Sequence, residues 1–385
     1  MTANSPSFSN IRLAVIHWFP LEQFPPAQNM LNFLASQPNN HILCCTTRRR
    51  LEAYRFDNST IILKHSSFPE RDLARIKRFL LLVWFPIWTF FRLFLFRPTH
   101  VFYIEPHSAP ATFLYCLLFP ATRLLCHYHE YREPSHFRKR GNFIARVGYQ
   151  LERLSLFKKL EWISHTNLDR VRLFLADNPR VSETKVHELP NLPPANWQVN
   201  SERKPAKDVT CLRMVYVGAI SLRDTYIEAL VQWVESFSHD EIKLDLYINN
   251  IDTETLDFLE KHRSSNLTVH RYGVPYAQLP SVLPNYDIGL ILYRCNSINY
   301  VYNAPNKLFE YLTCGLNVLY PKQMLGAAPY GRNNVRPWVI AVDFEQLSNL
   351  KIKELLCENL PEQSWITSCE SVYEKLHIQI VSQHG

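Results

Sequence analysis

From residue 11 onward the chain alternates short apolar runs with longer segments whose apolar residues recur every three or four positions, and it does so twice. In the first series the runs at 11–17, 42–46, 100–105 and 123–129 read as buried strands. The segments after Pro26 and over 71–96, 109–119 and 143–160 carry apolar residues at helical spacing. A weaker strand at 162–165 leads into a helix over 167–176, with Asn167 at its N-cap. Such alternation predicts a parallel sheet with crossover helices.

The periodicity dissolves over 189–207 (LPNLPPANWQVNSERKPAK), where proline, asparagine and charge take its place, as in an interdomain connection. It resumes with a strand at 212–218, a helix over 225–237, a strand at 243–248 and a helix over 253–261, then strands at 267–272, 288–292 and 316–320. A chain of 385 residues has room for two cores. The expected α/β architecture is a pair of doubly wound parallel-sheet domains facing a cleft, over 1–195 and 210–360, joined by a linker at 196–209. The tail, 361–385, is expected to form a helix that packs back on the first domain. Ligands of such sheets bind outside the carboxyl ends of the strands.

Composition narrows the function. With 46% hydrophobic and 20% charged residues the chain belongs with folded globular proteins, and its net charge of +7 favours an anionic partner. Nine scattered cysteines form no CxxC pair, which suits reduced thiols and a cytoplasmic location. Residues 1–10 lack the basic start and apolar core of a signal peptide. The most apolar run, FLLLVWFPIWTFF over 79–91, is interrupted by Pro86 and falls short of the roughly 20 residues that span a bilayer. All nine glycines lie at or after Gly141, so the first strand-to-helix turn holds no GxGxxG fingerprint. GxxxxGK[ST], GxSxG and HExxH are absent as well, which removes phosphate-loop hydrolases, common esterases and zincin proteases.

The informative run is YNAPNKLFEYLTCGLNVLYP over 302–321, a loop entering a short helix that ends at Gly315 before a buried strand. A helix N-terminus offers free N–H groups and a positive dipole suited to a diphosphate. Asn306 and Lys307 open that helix, and Lys307 adds a point charge. Glu310, one turn on along the same face, is a carboxylate suited to ribose hydroxyls.

This run resembles the donor-site signature of the B-type (GT-B) glycosyltransferases, in particular the family 4, or group 1, enzymes. The resemblance implies two Rossmann-like domains, a nucleotide-sugar donor with a UDP-sugar favoured, and transfer without a metal or other cofactor. It makes Glu310 the ribose ligand and the preceding loop the diphosphate ligand. Where that group carries a second glutamate, eight residues before Glu310, this chain has Tyr302. The segment MVYVGAISLRD over 214–224 is similar to the strand and loop that open the donor domain, and it nominates Gly218 and Arg223 beside the phosphates. The stretch VHRYGVPYAQL over 269–279 resembles the loop beside the base and nominates Tyr272.

In the first domain LLCHYHEYREP, over 124–134, ends a strand where a doubly wound sheet presents residues to ligand, and related enzymes carry a similar HE pair. His129 suits proton transfer near neutral pH or hydrogen bonding to sugar hydroxyls, with Glu130 to orient it. The pair also suits an ordinary capped strand end, and Arg223 an ordinary loop arginine. The basic, aromatic stretch from Arg71 to Arg97 suits a core helix with solvated arginines, or peripheral contact with an anionic membrane beside a lipid-linked acceptor. His17, His127, His136 and His165 lack carboxylates at metal-ligand spacing, and no nucleic-acid recognition motif is present. The expected function is sugar transfer from a nucleotide diphosphate donor to a glycan or lipid-linked acceptor in cell-surface polysaccharide biosynthesis. A 2-epimerase of the same fold and a noncatalytic membrane-associated scaffold are the alternatives.

Overall fold

The computed structural model describes residues 11–50, 56–70, 72–139, 143–198, 211–238, 240–355 and 360–382. Residues 1–10, Arg71, Cys357 and most of the expected linker lie outside them. Two units form, one of residues 1–190 with 369–385 and one of residues 191–368.

The first unit is built on seven parallel strands: β1 (Ile11–Pro20), β2 (Asn40–Arg48), β3 (Ile61–Ser67), β4 (His100–Ile104), β5 (Arg123–Tyr128), β6 (Leu160–His165) and β7 (Val186–Glu188). Their order is β3-β2-β1-β4-β5-β6-β7. The chain therefore winds outward from β1 to β3, returns, and winds outward again from β4. The second unit repeats this plan with β8 (Leu212–Ile220), β9 (Ile242–Ile251), β10 (Leu267–His270), β11 (Ile288–Leu290), β12 (Asn317–Pro321) and β13 (Val339–Val342), in the order β10-β9-β8-β11-β12-β13. Helices cover both faces of such sheets, so the central strands are continuous apolar runs, and all five residues of β4 are buried.

Three strands were not legible in the apolar pattern. β3 (IILKHSS) lies at the edge of its sheet and alternates buried with exposed residues, while β7 and β13 span only 3 and 4 residues. The helix over 143–160 also departs from expectation. It runs regularly over Phe143–Leu151, widens into a π-helical turn over Glu152–Leu156, and gives way to β6 at Leu160.

Helix Arg75–Phe96 is continuous through the buried Pro86. A proline removes one backbone hydrogen bond, and here the packing of Phe85, Thr89 and Leu93 against the sheet holds the helix together. The C-terminal helix, Cys369–Val381, packs on helix Pro25–Ser36, with the Tyr373 hydroxyl donating to the Pro26 carbonyl at 2.9 Å. Its last carbonyls are capped by Arg123, whose guanidinium donates to Gln379, Ile380 and Ser382 at 2.8–3.1 Å.

In the second unit the core helix Asn306–Thr313 is tied to the sheet by Tyr311. The ring packs on Gly289 of β11, and its hydroxyl accepts from the Val217 N–H at 3.1 Å while donating to the Leu290 carbonyl at 3.4 Å. Tyr311→Phe strands the Val217 N–H and should cost about 1–3 kcal/mol, read as a lower urea midpoint for the variant.

Candidate functional site

In the second sheet the winding reverses between β8 and β11, the place where open sheets of this kind bind ligands. β8 reaches this point at Gly218, whose φ of +138° is one that side chains rarely adopt. Helix Asn306–Thr313 begins after its N-cap residue Pro305, whose side chain has no hydrogen-bonding group to cap the N-terminus. Lys307 is buried, and its Nζ lies 3.0 Å from where a Cβ on Gly218 would stand. The ammonium sits over the rings of Tyr216 and Tyr293, 4.1 and 4.7 Å from their centroids, and among the described residues no hydrogen-bond acceptor engages it. Cation–π contact offsets part of the cost of burial, and an incoming anion would offset more.

Glu310 is buried one turn further along the helix, and its carboxylate accepts no hydrogen bond among the described residues. Burial pushes the carboxyl up to about 7, with the charge of Lys307 opposing the shift. An uncapped helix start, an unsatisfied ammonium, a bare glycine backbone and a buried carboxylate are thus gathered in one place. Together they can take a diphosphate on one side and hydroxyl donors on the other.

The remaining nominated donor residues divide. Asn306 is the first residue of the helix, and Tyr302 ends the short helix Ile298–Val301 just before it, its backbone against Gly326. Arg223 is not gathered with them. Its side chain is 86% exposed and pairs with Asp224 at 2.9 Å, so its charge is already matched. Tyr272 is 99% exposed, beyond the end of β10. Tyr216 and Tyr293, which carry Lys307, escaped the sequence reading. Their signal was position, since Tyr216 precedes Gly218 by two residues within β8 and Tyr293 follows β11 by three.

In the first unit His129 follows β5 directly and is buried. Its ring stands 4.8 Å from that of His127, 5.1 Å from Phe24 and 5.5 Å from His17, with Nε2 unpartnered among the described residues. Burial, reinforced by His127, His17 and Arg170, holds its pKa well below the usual histidine range. The imidazole is therefore neutral at pH 7, fit to share a hydrogen bond with a hydroxyl and unfit to act as a cation. Glu130 does not orient that ring, because its carboxylate pairs with Arg132 at 2.9 Å. The carboxylate that does reach His129 is Glu105, whose Oε1 accepts from the His129 N–H at 2.9 Å. Among the described residues no group of three histidine, cysteine, aspartate or glutamate side chains is placed to hold a metal ion.

Two doubly wound parallel sheets of these orders constitute the GT-B glycosyltransferase fold. Solved structures agree. Anabaena HepE in complex with UDP and glucose superposes with a TM-score of 0.60 at 10% identity, covering 96% of this chain and 95% of that one. Sucrose-phosphate synthase from Thermosynechococcus elongatus gives a TM-score of 0.59 at 14% identity over 96% and 94% of the two chains. The lipopolysaccharide outer core galactosyltransferase WaaB gives a TM-score of 0.56 at 10% identity over 96% and 99%. No family model and no curated protein matches the sequence.

The raised pKa of Glu310 has a signature in stability. The native state holds this proton more tightly than the unfolded chain, so stability falls as pH rises from about 4.5 to about 7 and stays low above. Glu310→Gln should be more stable than the wild type at pH 8, by about 3 kcal/mol at most, with the gap closing by pH 5. Urea unfolding of both proteins at the two pH values measures this. A gap independent of pH would mean that the carboxyl titrates as a solvated one.

Proposed function

We propose that the protein transfers a sugar from a nucleotide diphosphate sugar, with a UDP-sugar favoured, to a glycan or lipid-linked acceptor in cell-surface polysaccharide biosynthesis. The observation that carries this reading is the buried, unsatisfied Lys307 ammonium beside Gly218 at an uncapped helix start, with buried Glu310 one turn away. Lys307 and the first N–H groups of the helix neutralise the diphosphate, and Glu310 accepts from the ribose hydroxyls. Asn306 and Tyr302 border the sugar. The UDP and glucose of Anabaena HepE, and the UDP-2-fluoro glucose bound to an E. coli neighbour of the same fold, support this donor class.

His129 serves the acceptor side as a neutral hydrogen-bond partner, without a metal. The reaction is of the retaining, hexosyltransferase type. Arg223 approaches the phosphates only if the donor draws it away from Asp224.

The protein works in the cytoplasm at the inner face of the membrane, held there peripherally. Helix Arg75–Phe96 supports this part of the reading, since it is apolar on two sides. Phe85, Thr89 and Leu93 face the sheet, while Ile76, Leu80, Trp84, Ile87, Phe91 and Leu95 follow one another at helical spacing on the exposed side. By length and composition the helix is able to cross a membrane, yet its inner side is committed to the core. Arg75, Lys77 and Arg78 at one end and Arg92 and Arg97 at the other supply cations that match an anionic headgroup layer. Arg97 lies over the rings of Phe94 and Phe119 at 4.4 and 4.5 Å.

A thermal-shift screen against UDP, GDP, ADP, CMP and their sugars tests the donor site. A nucleotide at about 100 times its Kd adds about 2.7 kcal/mol, and Glu310→Ala or Lys307→Met should remove the shift. No shift with any nucleotide defeats the donor reading and favours a scaffold. Products formed without an acceptor separate a 2-epimerase, which alters the donor sugar, from a transferase. For the membrane contact, Trp84→Ser with Phe91→Ser should abolish flotation with phosphatidylglycerol-containing vesicles while leaving nucleotide shifts unchanged. Equal flotation of the variant would refute the contact.

A further inference from the structure

Glu105 follows β4 with φ 64° and ψ 155°, a backbone conformation that is nearly reserved for glycine. A glutamate is held there from several directions. Its N–H donates to the His127 carbonyl at 3.0 Å, and its own carbonyl accepts from Ser108 at 3.0 Å. Helix Phe143–Leu151 closes over the next residue so tightly that a Cβ on Gly148 would stand 1.7 Å from the Pro106 carbonyl oxygen. The conformation costs free energy, and an observed cost of this kind asks what it achieves.

What it achieves is the aim of the carboxylate. Glu105 is 3% exposed, and its Oε1 accepts from the N–H groups of both His129, at 2.9 Å, and Glu130, at 3.2 Å. From the opposite side Arg170, 2% exposed on helix Leu168–Asp177, donates from Nη1 to the His129 carbonyl at 2.7 Å and to the Thr166 hydroxyl at 2.7 Å. Two buried side chains, a carboxyl and a guanidinium from different crossovers, therefore grip the two ends of one residue. Charge-assisted bonds to backbone are the stronger kind, and both here are shielded from water. Burial pushes the Glu105 carboxyl up to about 7, opposed by the charge of Arg132 and by the two N–H groups it accepts from.

We propose that Glu105 and Arg170 are positioning residues for His129, clamping its backbone so that the neutral ring is presented at a fixed place and angle to the acceptor. This rests on the reading of His129 as an acceptor-side group of a sugar transferase. Neither residue need touch substrate. An ordinary strand end requires no charge on either side of one peptide, and a glycine at position 105 would give the same turn without strain.

The test is Glu105→Gly, which relieves the backbone and deletes the carboxylate, beside Glu105→Gln, which keeps an oxygen acceptor at the same reach. Hydrogen exchange read by mass spectrometry over residues 126–133 and UDP release from UDP-glucose are measured on the full chain. The clamp predicts amide exchange at His129 and Glu130 at least tenfold faster in Glu105→Gly, and kcat at least tenfold lower with KM for UDP-glucose unchanged. Glu105→Gln should recover most of both. Arg170→Met, which releases the His129 carbonyl instead, should show the same fall in kcat, and it decides the matter if Glu105→Gly does not fold. Wild-type kcat in Glu105→Gly or in Arg170→Met, or unchanged exchange at His129, overturns the proposal. A wild type that turns over no UDP-glucose while still giving a nucleotide thermal shift reduces the clamp to a structural device, and one giving no shift fails the donor reading itself.

Discussion

Lys307 and Glu310 are buried one turn apart on the same eight-residue helix, and much of the second unit is organised to hold them there. Burying charge without direct partners is expensive, so the surroundings must be rigid enough to prevent the helix from swinging out to solvent. Tyr311 supplies that rigidity by joining the helix to β8 and β11 through one hydroxyl. Tyr216 and Tyr293 lend Lys307 their ring faces, and Gly218 leaves the space in front of the ammonium clear. Remove any one and the helix has a cheaper arrangement. The uncompensated charge is the kind of cost that a ligand repairs on binding, which is why we propose this place for the donor.

Much of this was legible in the residue order. Proline, asparagine, lysine, glutamate and glycine at 305, 306, 307, 310 and 315 describe an uncapped helix start, two charges on one face and a stop, and short-range spacing of that sort survives folding unchanged. The interior strands were legible because a parallel strand covered on both faces must be apolar throughout. Edge strands meet no such demand, so β3, β7 and β13 passed as loop. Arg223 and Tyr272 were nominated by the segment they sit in, yet a side chain at a loop tip is directed by its nearest partner, and Asp224 was adjacent. The grip of Glu105 and Arg170 on His129 joins residues 24 and 41 positions away from it, a separation at which no local pattern reports.

The first unit shows a different economy. Near the carboxyl ends of its strands it buries His17, His127 and His129, and burial keeps all three neutral, with His17 lowered to about 4 and His127 to about 3. These neutral imidazoles pack beside Phe24 as a weakly polar cluster. Solvent-facing cations lie at the ends of helix Arg75–Phe96, where an apolar face is turned outward.

The most direct test of the donor site is calorimetry of UDP-glucose binding at pH 7 in buffers of different ionisation enthalpy. UDP-glucose does not itself titrate near neutral pH, whereas Glu310, with a pKa of about 7, is divided between its two forms. Ribose hydroxyls donating to the carboxylate favour the ionised form, so binding should release a fraction of a proton, and Glu310→Gln should bind more weakly and release less. Binding that releases no proton, or a variant that binds as tightly as the wild type, would contradict the assignment of the ribose to Glu310 and with it the donor site.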